Sequence, residues 1–247
     1  MNRSRRFLAA LLLLLGLGML FWQPVRGHFQ DRLVERQTIA WKEAQAARGA
    51  QTGSGEKPIF EELRREMEAY NQDIYKSGQA GLVDAGSYQA QAIDLERYGI
   101  EDGFVGLISI PSVGVEMPLS LGATSEHLEK GWAQLTETSM PIGGENTNCV
   151  VAAHRGWESG KYFRDAEKVQ VGDLVVLENL WETLTYQVVE IKVIQPDEVG
   201  AILIQPGRDL LTLFTCTPYG LPTHRLLLYC QRVTGESKAA TSSQSLN

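Results

Sequence analysis

Hydrophobic and polar positions change texture several times along this chain. Phe7–Trp22 is an unbroken run of sixteen apolar residues preceded by Arg3, Arg5 and Arg6. Gln30–Arg48 is polar, rich in helix formers and only weakly amphipathic, which predicts a stalk helix, and Gly49–Lys57 reads as a linker. The period then becomes helical: Phe60, Leu63, Met67, Tyr70 and Ile74 step by three and four along one face behind Pro58, predicting a second helix with a core-facing stripe. From Phe104 short β-rich runs take over, at Phe104–Ile110, Gly114–Leu119, Cys149–Ala153, Leu174–Leu177, Leu184–Ile194, Leu210–Cys216 and Arg225–Arg232. Their irregular spacing, their Pro and Gly punctuation and a helical turn at Thr124–Lys130 predict a mainly β fold closed, or nearly closed, into a barrel. Thr234–Asn247 is polar and free of aromatics, so a disordered tail is expected.

The expected units are therefore a membrane anchor or signal segment at 1–26, a stalk and linker at 27–57, a helix with a lid-like segment at 58–103, the β-barrel at 104–233 and a tail at 234–247. The basic residues before Phe7 predict an export signal whose arginines stay in the cytoplasm. Its apolar run is short of the ~20 residues of a comfortable span. Gln23-Pro-Val-Arg-Gly27 offers no small-x-small cleavage site, which favours an uncleaved single-pass anchor with everything downstream outside the cell.

Charge narrows the partners. The chain carries 23 basic and 30 acidic residues, a formal net charge of −7. Residues 1–26 contain four arginines and no acid, so the remainder is more acidic than the whole. Such a domain is a poor match for nucleic acid and for anionic lipid surfaces, and no nucleic-acid partner is expected.

Three cysteines cannot build a dense disulfide framework. Cys149 and Cys230 lie within predicted strands and read as small buried hydrophobes, with a bridge between them left open. His28 and His127 have no metal-ligand spacing with any cysteine or carboxylate, and no EF-hand pattern occurs, so no metal or cofactor is expected.

Cys216 differs. The run Thr212-Leu-Phe-Thr-Cys-Thr-Pro218 reads as a buried strand broken by Pro218-Tyr-Gly220, which sets the thiol at a strand mouth. His154 likewise stands where Cys149–Ala153 gives way to a loop, and Arg225 opens the last strand nine residues beyond the cysteine. A thiol attacks as thiolate; an imidazole can supply a proton, and a guanidinium offers a fixed charge to an oxyanion. These residue types suit acyl transfer. His224 should face away, because neighbouring strand residues point to opposite faces, and Arg155 reads as a structural or rim residue. Other cysteine chemistries fail on spacing: a phosphatase loop needs Arg at position 222, which is Pro222, and a papain-like order needs its cysteine upstream of the histidine.

Val151-Ala-Ala-His-Arg-Gly156, Thr212-Leu-Phe-Thr-Cys-Thr-Pro-Tyr-Gly220 and Thr223-His-Arg-Leu-Leu-Leu228, in that order, resemble the signatures of the sortases, surface transpeptidases of Gram-positive bacteria. The Thr-Pro-Tyr-Gly and Thr-His-Arg extensions are most similar to class C, the pilin-polymerising sortases. The resemblance implies an eight-stranded barrel, with Cys216 as nucleophile, His154 as acid/base and Arg225 as holder of substrate and oxyanion. It further implies cleavage of an LPXTG-like sorting signal at Thr-Gly and transfer of the acyl group to a pilin lysine, without cofactor. The expected partners are pilins or surface proteins bearing such signals. A wall-anchoring sortase that passes the acyl group to cell-wall precursor, and an inactive pilin-binding scaffold, are the alternatives.

One departure from the family stands out. Class C sortases typically carry a lid with Asp-Pro and an aromatic residue, and here the matching segment is Gly81-Leu-Val-Asp-Ala-Gly-Ser-Tyr88. Asp84 is retained, Pro is replaced by Ala85, and the ring is missing unless Tyr88 substitutes for it. A loose or absent lid is the expectation.

Overall fold

Runs rich in β-branched and other apolar residues form eight strands among the described residues: β1 (Phe104–Ile110), β2 (Val115–Leu121), β3 (Trp132–Gln134), β4 (Thr147–Ala152), β5 (Leu174–Asn179), β6 (Thr183–Ile194), β7 (Asp209–Thr217) and β8 (His224–Arg232). The computed structural model describes residues 3–51, 58–83, 92–156 and 162–233. The strands close into a barrel in the order β1-β2-β3-β4-β7-β8-β6-β5. Pairs β2/β3 and β4/β7 are parallel, and the others are antiparallel. At the β1/β5 seam Gly106 is required by close approach, since a Cβ there would fall 2.9 Å from Glu178 O. Only β3 had no sequence signal: three residues are too few to display a period.

Alternate positions of the strands fill two separate layers. Inside the barrel lie Val105, Ile108, Met117, Leu119, Val151, Leu177, Tyr186, Leu211, Leu213, Leu226 and Leu228. Trp132 stops one end, its ring edge-to-face with Phe163 at 5.0 Å. A second apolar layer, containing Ala133, Val150, Ala152, Phe214, Leu227 and Tyr229, covers the outer face of β3, β4, β7 and β8 beneath Ile194 and Ile202.

Helices flank this barrel. Along α2 (Pro58–Lys76), Leu63 and Met67 are completely buried and Ile74 nearly so. Tyr70 accepts from Glu137 N at 2.9 Å, and Asn71 Oδ1 from Met140 N at 2.6 Å, tying the helix to the loop after β3. Short α3 (Ser125–Lys130) is capped by Thr124, whose hydroxyl accepts from His127 N.

The N-terminal region corrects one expectation. Residues 3–51 form one continuous helix, α1 (Arg3–Gln51). Among the described residues no helix is long and apolar enough to cross a membrane, which overturns the single-pass anchor and the membrane placement built on it. The physical reason is length: sixteen apolar residues span about 24 Å of helix against roughly 30 Å of hydrocarbon. Beyond Trp22 the same helix turns polar and becomes an extension laid against the barrel. Val34, Thr38 and Trp41 are buried there, Trp41 against Phe104 and Leu107. Lys42 pairs with Glu116 at 2.7 Å, and Gln45 donates to Asn179 O at 2.8 Å.

Candidate active site

Three neighbouring strands converge on one end of the barrel. In the antiparallel β7/β8 pair Cys216 lies directly opposite Arg225, and Thr217 opposite His224. Cross-strand partners share a face, so Cys216 and Arg225 project to the same side and His224 to the other. On the far side of β7 the parallel ladder with β4 ends at Ala152 and Phe214, and Ala153 N still donates to Phe214 O at 3.1 Å. Thr215 returns the contact, its hydroxyl donating to Ala153 O at 2.8 Å. One more step brings His154 level with Cys216.

Alternation decides which face this is. Ala153, Leu213 and Leu226 point into the barrel, whereas Ala152, Phe214 and Leu227 belong to the outer layer. Cys216 and Arg225 continue the outer series at the end of the Phe214–Leu227 row, and His154 stands two residues beyond the last β4 position, Ala152. His154 is exposed, while Cys216 and Arg225 are half-exposed. All three therefore touch solvent at this end of the barrel.

Local contacts hold each of them. Arg225 Nη1 donates to His224 O at 3.1 Å and to Pro222 O at 3.4 Å, which ties the guanidinium to the loop before β8. His154 packs edge-to-face with Tyr162 at 5.9 Å, and its carbonyl accepts from Phe163 N at 3.1 Å. His224 turns away: Nε2 lies 3.1 Å from Gln195 Nε2, and Nδ1 lies 2.9 Å from Thr223 Oγ1. After Cys216 the Thr217–Pro218 peptide is cis. The loop that follows leans on the β4–β5 loop, with Tyr219 OH 3.4 Å from Gly156 O and the Arg164 guanidinium 5.8 Å from the Tyr219 ring.

Arg155 does more than the sequence suggested. Its side chain is 4% exposed and is no rim residue. Nη1 donates to the backbone carbonyl of Cys216 at 2.8 Å, Nε donates to Arg164 O at 3.3 Å, and Nη2 lies 2.7 Å from Glu167 Oε1. One guanidinium thus ties the Cys216 peptide to the loop after β4. Strand alternation held the signal: if His154 points out, the next long side chain points in.

The three cysteines are all free. Cys149 and Cys230 lie inside the barrel, where burial pushes both thiols well above their ordinary value. Cys216 alone reaches the surface. Asp84 and Tyr88, with the rest of the expected lid, lie outside the described residues, as does the tail from Thr234. Among the described residues no three His, Cys, Asp or Glu side chains gather into a metal-binding group.

With this geometry in view, similarity to known proteins becomes decisive. The sortase-domain profile matches residues 108–233, just over half of the 247 residues. The chain belongs to the sortase family. Among curated relatives, sortase D of Bacillus subtilis is 30% identical over 132 residues, 52% of this chain and 64% of that protein. Sortase A of Streptococcus agalactiae is 25% identical over 247 residues, covering 98% of this sortase and 90% of the relative. Solved structures bring class C to the front. Sortase C-1 of Streptococcus pneumoniae is 31% identical, with a TM-score of 0.68 over 81% of this chain and 98% of that one. Sortase C1 of Streptococcus agalactiae is 31% identical at a TM-score of 0.64, covering 75% and 95% respectively. The family is one of cysteine transpeptidases, and the closed eight-stranded barrel is its fold.

Proposed function

We propose that this sortase is a cysteine transpeptidase of pilus assembly, acting on LPXTG-like sorting signals with Cys216, His154 and Arg225. The observation that carries this reading is the β7/β8 register, which sets Cys216 opposite Arg225 on one face with His154 at the adjoining strand end. The Cys216 thiolate attacks the carbonyl carbon of the Thr-Gly bond, and the developing oxyanion lies within the field of the Arg225 guanidinium. The C–N bond then breaks as His154 gives its proton to the leaving amine, leaving a thioester on Cys216. A lysine amine of the next pilin attacks that thioester and returns a proton to His154, and the thiolate leaves. The acyl-enzyme retains the energy of the broken amide, so the cycle closes without a nucleotide.

The experiment incubates the protein with an LPXTG-containing peptide and a lysine-bearing pilin fragment. Mass spectrometry should show an acyl adduct on Cys216 and a new isopeptide product. An adduct on Cys149 or Cys230 would refute the nucleophile. Acceptance of a cell-wall-type amine in preference to the pilin lysine would move the protein to wall anchoring, and no adduct at all would make it a scaffold.

A further inference from the structure

The residue packed against His154 has an unusual backbone. Tyr162 has φ 31°, a conformation that costs a non-glycine residue about 1–3 kcal/mol and persists only where the surroundings impose it. Those surroundings are specific. The Tyr162 hydroxyl donates to Glu129 O at 2.8 Å, at the end of α3. The same carbonyl accepts from Gln30 Nε2 of α1 at 3.2 Å, which fixes it from its other side. The side chain is buried, and its ring meets the imidazole of His154 at 5.9 Å with the planes 72° apart. The next residue, Phe163, holds His154 O through its N–H and is itself seated on Trp132.

Exposed His154 needs such a brace. An imidazole on a strand end can rotate about two side-chain torsions, and proton transfer to the leaving amine demands hydrogen-bond reach in a fixed direction. A buried ring anchored at its far end by a hydroxyl removes part of that freedom. Glycine or asparagine would adopt the positive φ more cheaply, so strain at a large aromatic residue argues for a use of the ring itself.

We propose that Tyr162 is a positioning residue for the proposed transpeptidation, holding the His154 imidazole in the orientation that delivers its proton. This rests on the reading of Cys216 and His154 as nucleophile and acid. Among the described residues, the titratable or charged groups on the elements around the imidazole include Cys216 and Arg225 on β7 and β8, Arg155, Arg164, Asp165, Glu167 and Lys168 on its own loop, and Glu126, His127, Glu129 and Lys130 on α3.

The test compares wild type with Tyr162→Phe and Tyr162→Leu, using an LPXTG-containing peptide as acyl donor and a lysine peptide as acceptor. The Leu variant should lose about 10²-fold in kcat with KM within twofold. The limb of its kcat/KM pH profile that reports His154 should shift, and so should the imidazole's NMR titration, assigned by its disappearance in His154→Asn. Tyr162→Phe keeps the ring and loses only the tether, so it should fall between the two. Should the Leu variant not fold, the same shifts in Tyr162→Phe decide the matter. A folded Leu variant with unchanged kcat, or with kcat lowered but both titrations unmoved, overturns the proposal. Cys216→Ala separates the two levels: if it still turns over, the transpeptidase reading falls, whereas a dead Cys216→Ala beside a fully active Tyr162→Leu sinks the positioning role alone.

Discussion

Strand β7 begins with a carboxylate and carries a thiol one residue before its end, and the barrel treats the two oppositely. At its start Asp209 is half-buried, with Oδ1 accepting from Tyr186 OH at 3.1 Å and Oδ2 from Gly144 N at 3.0 Å. Burial raises the Asp209 carboxyl above its ordinary value, partly offset by the Gly144 N–H, the Tyr186 hydroxyl and Arg232. Neighbouring Tyr186 and Cys149 are likewise pushed up by burial. At the other end Cys216, Arg225 and His154 reach solvent. Both ends gather titratable groups of similar type. Burial shuts one set inside the fold, whereas the strand mouth leaves the other in contact with solvent.

The sharpest break of this contrast exchanges cysteines. Cys216→Ala should remove turnover, a loss of at least about 10⁴-fold, because no other group can carry the acyl chain. Cys149→Ala and Cys230→Ala should keep activity and lose about 1 kcal/mol of stability, read by denaturant melts. Inactivity of Cys149→Ala with unchanged stability would contradict the division into buried and open ends.

Next in size come the partners of the thiol. Arg225→Ala and His154→Ala should each cost about 10²–10⁴-fold in kcat/KM with melting temperatures unaltered. His224→Ala, on the opposite face beside Gln195, should cost little. If His224→Ala matched Arg225→Ala in damage, the facing read from the β7/β8 register would be wrong.

Arg155 joins the two characters, being buried yet bonded to the Cys216 carbonyl. Arg155→Met should lower stability by about 1–3 kcal/mol, chiefly by orphaning the Cys216 carbonyl, since exposed Glu167 stays hydrated. It should also slow alkylation of Cys216 by displacing the strand mouth, as iodoacetamide kinetics on the native protein would show. An unchanged alkylation rate would leave Arg155 a brace for the loop only.

The smallest effect belongs to the Asp209 end. A carboxyl whose folded value is raised binds its proton more tightly when folded, so the contribution of Asp209 to stability falls as pH climbs from the ordinary value of 3.8 through the raised one. Asp209→Asn should flatten that stretch of the stability–pH curve while leaving turnover intact. A curve of the same slope in the variant would assign the pH dependence elsewhere.

Much of this architecture was legible before any coordinates. Short β-rich runs bounded by Pro and Gly marked seven of eight strands, and the three-and-four spacing of Leu63, Met67 and Ile74 marked α2, because residue type and helical period write themselves into local order. The stretch from Phe7 to Trp22 misled, since apolar character alone does not register that the helix continues past Trp22 and docks through Val34 and Trp41. Cys216, His154 and Arg225 could each be singled out as chemistry at a strand's end. Their sharing of one face could not, for it depends on pairings between β4, β7 and β8 that join segments about sixty residues apart in the case of His154 and Cys216. The sequence pointed to Arg155 only as a structural or rim residue and to Tyr162 not at all: a guanidinium becomes the clamp of a distant carbonyl, and a strained tyrosine the wall of an imidazole, only when folding brings Cys216, Glu129 and His154 to them. Local order determined which residues could do chemistry; tertiary pairing decided which of them meet.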